Sequence, residues 1–144
     1  MSRMIFVNLP VKDVTVSRAF FSGLGFEFNE TFSDEHTASL VVSDLATVML
    51  LEEARFKDFI RDEIADTSTS REALFALSAD SKDDVDTLCD KALNSGGSAW
   101  MDPQDHGFMY GRSFLDPDNH VWEVMWMDPA VASGEQAPGE QAPS

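Results

Sequence analysis

The stretch LPVKDVTVSRAFFSGLGFEF, residues 9–28, decides the fold. It begins at the end of a β-rich segment, residues 5–11, and Asp13 follows at once. An aspartate there can cap a helix, because its side chain accepts a hydrogen bond from a free backbone N–H of the first turn. Helical spacing links four apolar residues: Val16, Ala19, Phe20 and Leu24. Glycines at 23 and 25 predict that this helix ends near Leu24.

Three strand candidates follow, at residues 26–31, 38–42 and 47–51, and a short helix is predicted at about 55–64. The same order then repeats. A strand at 73–77 leads to Ser81, which opens a capping box before a second amphipathic helix that Gly96-Gly97 ends. Further strands are predicted around 99–101, 108–114 and 121–126. The chain therefore has an α+β pattern of strand, helix and three strands, written twice.

Composition limits the possible partners. The 144 residues carry a formal charge of −16, with 10 basic and 26 acidic side chains. Such a charge disfavours binding to nucleic acid or to an anionic membrane surface. The single cysteine, Cys89, excludes an intrachain disulfide, and we expect a soluble cytoplasmic protein. We expect one domain over residues 1–130, with modules at about 4–66 and 71–129. The Glu/Gln/Ala/Pro/Gly-rich residues 131–144 are predicted to be a disordered tail.

The paired βαβββ pattern resembles the vicinal oxygen chelate superfamily, which includes glyoxalase I, bleomycin- and fosfomycin-resistance proteins and extradiol dioxygenases. Four stretches carry the resemblance: residues 9–28, ADSKDDVDTL (79–88), QDHGFMYGRSF (104–114) and DPDNHVWEVMW (116–126). The third stretch is similar to a subgroup labelled predicted lactoylglutathione lyase. The resemblance implies a cupped mixed sheet, a homodimer, a small-molecule ligand and a divalent metal (Ni, Zn, Mn or Fe) that acts as a Lewis acid.

The four metal-ligand positions of the family fall on Phe6, Leu50, Leu74 and Glu123. Three of these are apolar and cannot bind a cation, so the usual ligand set is incomplete. A shift of two residues on the first strand would offer Asn8, a weak oxygen donor. Another set could come from His36, His106, Tyr110 and Glu123. His36 and His120 are expected at the surface, because both lie in polar turns.

Strand alternation predicts which side chains face a pocket. On the last strand Glu123 and Met125 share one face, and the bulky Trp122 and Trp126 on the other should pack against helices. Another face is shared by Phe108, Tyr110, Arg112 and Phe114. If it is the pocket face, Arg112 could bind an oxyanion and Tyr110 could donate a hydrogen bond. The alternative is an Arg112–Glu123 pair that joins adjacent strands.

Two functional classes remain open. The first is a metal-assisted lyase or dioxygenase, with Glu123 as ligand or base and with His106, Tyr110 and Arg112 assisting. Its metal would be held by Glu123, His106 and His36. The second is a metal-free protein that binds and sequesters a small molecule. The predicted substrate-binding residues are Phe6, Asn8, Leu50, Leu74, Phe108 and Met125, which would form a largely apolar floor.

Overall fold

A computed structural model describes residues 2–134. The chain forms two compact units, the first spanning Met1–Glu72 and the second beginning at Ala73. Each unit contains a mixed sheet with a helix on one face, so the predicted α+β class is confirmed. The number of domains stays a prediction.

The first unit follows the predicted order with small changes in length. Its elements are β1 (Ile5–Val11), α1 (Val14–Gly23), β2 (Glu27–Phe28), β3 (Thr37–Ser43), β4 (Ala46–Glu52) and α2 (Glu53–Phe56). The sheet order is β1-β4-β3-β2, with β1 and β4 parallel. Asp13 caps α1 as predicted, since its carboxylate accepts a hydrogen bond from the Thr15 N–H at 2.9 Å. The helix predicted at 55–64 is shorter: α2 ends at Phe56 and a 3₁₀ turn covers Lys57–Phe59.

The position of Leu50 corrects one prediction. Leu50 pairs with Leu9 and is fully buried, on the face of the sheet that α1 covers. Phe6 and Asn8 lie on the opposite face, where Asn8 pairs with Met49. Leu50 therefore does not share a floor with Phe6. It belongs to the core of the first unit.

The second unit repeats the order and adds two short elements. It contains β5 (Leu74–Ser78), α3 (Lys82–Asn94), β6 (Ser98–Ala99), β7 (Gln104–Asp105), β8 (Met109–Leu115), β9 (Val121–Met127) and α4 (Pro129–Ala132). The sheet order is β5-β9-β8-β6, and β7 also pairs with β8. Ser81 caps α3 as predicted, because its hydroxyl accepts a hydrogen bond from the Asp84 N–H at 3.0 Å.

The start of the predicted tail also needs correction. Asp128 caps α4 through a 2.9 Å hydrogen bond from the Ala130 N–H, and Val131 is buried. The chain therefore stays ordered past residue 131, since an apolar anchor and a cap fix this turn. The remainder of the predicted tail, residues 135–144, lies outside the described residues.

The turn between β8 and β9 is built around the carboxylate of Asp116, whose residue is only 3% exposed. Its two oxygens accept hydrogen bonds from the backbone of Asp118 and His120 and from the Trp122 indole, at 2.9–3.0 Å. Asn119 has a φ of 63°, in the left-handed region that asparagine tolerates better than most residues. His120 is 2% exposed, so the expectation that it lies at the surface is wrong. The turn folds back on Asp116 and takes His120 into the interior.

Candidate functional site in the second unit

The open face of the second sheet carries a cavity of about 170 Å³. Strand register builds it: on β8 and β9, Ser113 lies opposite Glu123 and Gly111 lies opposite Met125. Leu74 joins the same face from β5. The other face of β9 carries Trp122 and Val124, which are buried on the side that α3 covers, as predicted.

The lining of this cavity is mainly apolar. Leu74, Trp100, Met101, Met109 and Met125 supply most of it, and the polar groups include Ser113 and Glu123. An apolar cavity of about 150 Å³ in another protein holds benzene, so this space suits a group the size of an aromatic ring. Thioether side chains are flexible and polarisable, which lets a methionine-rich wall adapt to different ligands.

Glu123 is the predicted site residue that the structure places in this cavity together with Leu74 and Met125. Glu123 is only partly exposed to solvent. Among the described residues of the second unit, none donates a hydrogen bond to its carboxylate or forms an ion pair with it. Carboxylate oxygens accept hydrogen bonds, so this group can pair with a donor or a positive charge that enters the cavity.

The side chains of Arg112 and Tyr110 point to the other face, against α3, so neither supplies the oxyanion group or the donor that was predicted for the pocket. The Arg112 Nη1 donates to Asp86 and Asp90 at 3.0 Å, and the Tyr110 hydroxyl donates to Asp86 at 2.7 Å. The hydrogen bonds to Asp86 lower the pKa of its carboxyl group, and the one from Tyr110 has a larger effect than the one from Arg112. The alternative Arg112–Glu123 pair is also wrong, because Val124 is the residue opposite Arg112. The cluster ties α3 to β8.

His106 and Phe108 lie where β7 turns into β8. His106 is exposed, and its ring stacks on Phe108 with 6.3 Å between centroids. Neither residue lines the described cavity. No local feature of the sequence shows that His106 and Phe108 lie at the end of a hairpin and not in the pocket wall.

His36 belongs to the first unit, where it pairs with Glu52. Its Nδ1 lies 2.7 Å from the Glu52 Oε1, and the Glu52 Oε2 accepts a hydrogen bond from the Val14 N–H at the start of α1. The hydrogen bond with Glu52 raises the pKa of His36 and lowers the pKa of Glu52. The pair supports the N-terminus of α1.

This pair should make stability depend on pH. A raised His36 pKa gives a contribution that is complete below about 6.5 and is lost as the pH rises through the folded-state pKa. A lowered Glu52 pKa gives one that is complete above about 4.5 and is lost as the pH falls through the folded-state pKa. We therefore expect the difference in melting temperature between wild type and His36→Gln to be largest between about pH 4.5 and 6.5. A difference that stays constant from pH 4 to pH 9 would show that the pair does not titrate with folding.

The donor chemistry does not fit the divalent metal that the family resemblance implies. Phe6, Leu50 and Leu74 have no ligating atom, and Glu123 is the one carboxylate at the four mapped positions. Within residues 2–134, no group of three or more His, Cys, Asp or Glu side chains could hold a metal ion. His36 lies in the first unit and His106 and Glu123 in the second, and the metal set expected from them stays a prediction.

The first unit has an open cavity of its own, about 240 Å³ in volume. Asn8 and Met49 form part of its floor, and Phe32 and Phe59 stand at its rim. The Arg55 guanidinium lies 4.6 Å from the centre of the Phe59 ring and donates to Asp58 at 3.1 Å. Asn8 was predicted from the sequence as a binding residue. The aromatic rim was not predicted, because Phe32 and Phe59 lie in turns and not in strands.

The comparisons with known proteins agree with this architecture. The family model of the Glyoxalase/Bleomycin resistance protein/Dioxygenase superfamily matches residues 3–124. The chain belongs to this superfamily. No functionally curated protein matches the sequence significantly.

Several solved structures of the superfamily's fold are similar. A hypothetical protein, SA1046 from S. aureus, is 25% identical with a TM-score of 0.74, and the match covers 88% of this chain and 94% of that one. The fosfomycin resistance protein FosX from Mesorhizobium loti is 13% identical with a TM-score of 0.66, over 92% and 98% of the two chains. Lactoylglutathione lyase from Agrobacterium tumefaciens is 16% identical with a TM-score of 0.63, over 88% and 94%. The last two likenesses show the fold alone.

No helix among the described residues is long and apolar enough to cross a membrane. Homodimer formation and a cytoplasmic location stay predictions.

Proposed function

We propose that this superfamily member binds a small organic molecule in the cavity of the second unit, without a metal ion. The observation that carries the proposal is the cavity itself: an apolar, methionine-rich concavity in which Glu123 meets no donor among residues 73–134. Ligand sites are typically apolar with a few placed polar groups, and this lining matches that description. The protein would therefore act by sequestering its ligand or presenting it.

Filling the cavity should abolish binding. Gly111 lies opposite Met125, and a Cβ built on it would meet the Met125 Cγ at 3.4 Å and the Val124 carbonyl at 3.6 Å, ordinary contacts that β8 can accept. Gly111→Leu then places a branched side chain in the ligand's space. We expect affinity for a bound fragment to fall at least about tenfold, roughly 1.4 kcal/mol. Saturation-transfer NMR with an aromatic fragment panel, in buffer with EDTA, measures this.

Ala54→Leu is the matched control, because it adds the same bulk at an exposed position of α2 in the first unit. It should leave fragment binding unchanged. Binding that survives Gly111→Leu as well as it survives Ala54→Leu would place the ligand elsewhere and refute the proposal.

A metal-assisted lyase or dioxygenase is the second candidate, and one observation favours it. Glu123 occupies the position that the family resemblance assigns to a metal ligand, and it faces the cavity. Repeating the titrations with Ni²⁺, Zn²⁺, Mn²⁺ or Fe²⁺ in place of EDTA separates the two candidates. Fragment binding that requires one of these ions, together with stoichiometric uptake that Glu123→Gln removes, would establish the second candidate instead.

A further inference from the structure

We infer that the ligand of this cavity is an organic cation: an ammonium, quaternary ammonium or guanidinium group attached to an apolar body about the size of an aromatic ring. The inference rests on the proposed function, because it names the chemical class that the same cavity selects.

The charges of the lining are one-sided. Glu123 and Asp102 both border the cavity. Among the described residues that line it, Arg112 is the single basic one, and its guanidinium points to α3, where Asp86 and Asp90 each accept a hydrogen bond at 3.0 Å. That positive charge is neutralised on the far side of the sheet. Among the described lining residues, the two carboxylates therefore have no opposing cation.

The apolar wall suits the remainder of such a ligand. Trp100 borders the cavity beside Met109 and Met125. An indole face attracts an organic cation through the ring quadrupole, and thioether groups make favourable contacts with aromatic rings. A neutral ligand of the same shape would cover Glu123 without giving it a partner, which costs free energy. An anion would be repelled.

The charge of the whole chain favours the same class. With a formal charge of −16, the molecule attracts cations over distances comparable to the Debye length and repels anions. Association with a cationic ligand should therefore slow as salt is added, whereas association with a neutral ligand should not.

Three probes of similar size test the inference: benzyltrimethylammonium, benzyl alcohol and phenylacetate. Isothermal titration calorimetry of the full chain in EDTA should give an affinity for the cation at least about tenfold above that for the alcohol, because only the cation brings a positive charge to Glu123. Phenylacetate should bind weakest. Equal affinity for the cation and the alcohol, with both lost in Gly111→Leu, would overturn the cation inference while leaving the proposed binding site intact.

The charge variants sharpen the test. Glu123→Gln keeps the shape of the side chain. It should lower the affinity for benzyltrimethylammonium about tenfold and change the affinity for benzyl alcohol less than about twofold. Glu27→Gln removes the same charge from an exposed position of β2 and should change neither. Equal losses in both variants would mean that only net charge matters, which contradicts a specific site. Displacement of the organic cation by millimolar Mg²⁺, measured without EDTA, would point to a metal-ion site and would also overturn the inference. If no probe binds at all, the proposed function fails as well.

Discussion

Replacing Asp116 by alanine should lower the free energy of unfolding by about 2–4 kcal/mol, because hydrogen bonds from buried donors lose their acceptor. The variant removes the acceptor of three hydrogen bonds, which come from the part-buried Asp118 N–H, the buried His120 N–H and the Trp122 indole N–H. Burial raises the pKa of Asp116, which indicates how completely the folded turn removes this carboxyl group from water. Urea denaturation followed by tryptophan fluorescence measures the loss.

Asp44→Ala is the matched control, because Asp44 lies exposed in the turn before β4. It should change stability by less than about 0.5 kcal/mol. A loss below about 1 kcal/mol for Asp116→Ala would contradict the role of its carboxylate as the centre of the turn.

Arg112→Met should lower the free energy of unfolding at pH 7 by about 2 kcal/mol. The variant keeps the apolar stem but leaves Asp86 and Asp90, one turn apart on α3, without their shared cation. The Arg112 side chain is 17% exposed, whereas both aspartates are more open to solvent. Because solvent screens the two aspartates, we expect a smaller loss of stability than for a fully buried ion pair.

The pH dependence identifies the cause of that loss. The pKa of Asp86 is lowered below its usual 3.8 in the folded state. Its contribution is therefore complete above about pH 3.8 and is lost as the pH falls through the lowered value. The destabilisation by Arg112→Met, from urea curves, should shrink towards pH 2. Arg55→Met is the control, since Arg55 pairs with one exposed aspartate and should cost less than about 0.5 kcal/mol. A loss for Arg112→Met that does not change with pH would assign it to packing instead.

The repeated strand–helix pattern made the fold predictable, because both helices carry local caps, at Asp13 and Ser81, and both apolar stripes have helical spacing. Two short elements, β7 and α4, were missed. A two-residue strand such as β7 exists only through its pairing with β8, and no local pattern of that length predicts it.

The face of Arg112 was predictable from the sequence but was misassigned. A turn of residues 116–120 joins β8 to β9, so Leu115 lies opposite Val121. Two residues further along each strand, Ser113 lies opposite Glu123, and Arg112 therefore lies opposite Val124, on the helix side. Hairpin register alone excludes an Arg112–Glu123 pair once Glu123 is given the open face.

The register of Leu50 was not predictable in the same way. β4 pairs in parallel with β1, and α1, β2 and β3 lie between them along the chain. No turn fixes such a register, so the choice between Leu50 and Met49 for the open face depends on packing against α1. The Asp116 carboxylate likewise accepts a hydrogen bond from the Trp122 indole, a contact that no local turn pattern predicts.

Methionine methyl NMR tests the central claim, a metal-independent ligand cavity in the second unit, most directly. ¹³C-methyl-methionine protein is titrated with benzyltrimethylammonium in EDTA, with Met109 and Met125 as reporters of this cavity and Met49 as the reporter of the cavity in the first unit. The account predicts saturable shifts at Met109 and Met125, no shift at Met49, and loss of both shifts in Gly111→Leu. Shifts confined to Met49, or no shift at Met109 and Met125 until a divalent metal is added, would contradict it.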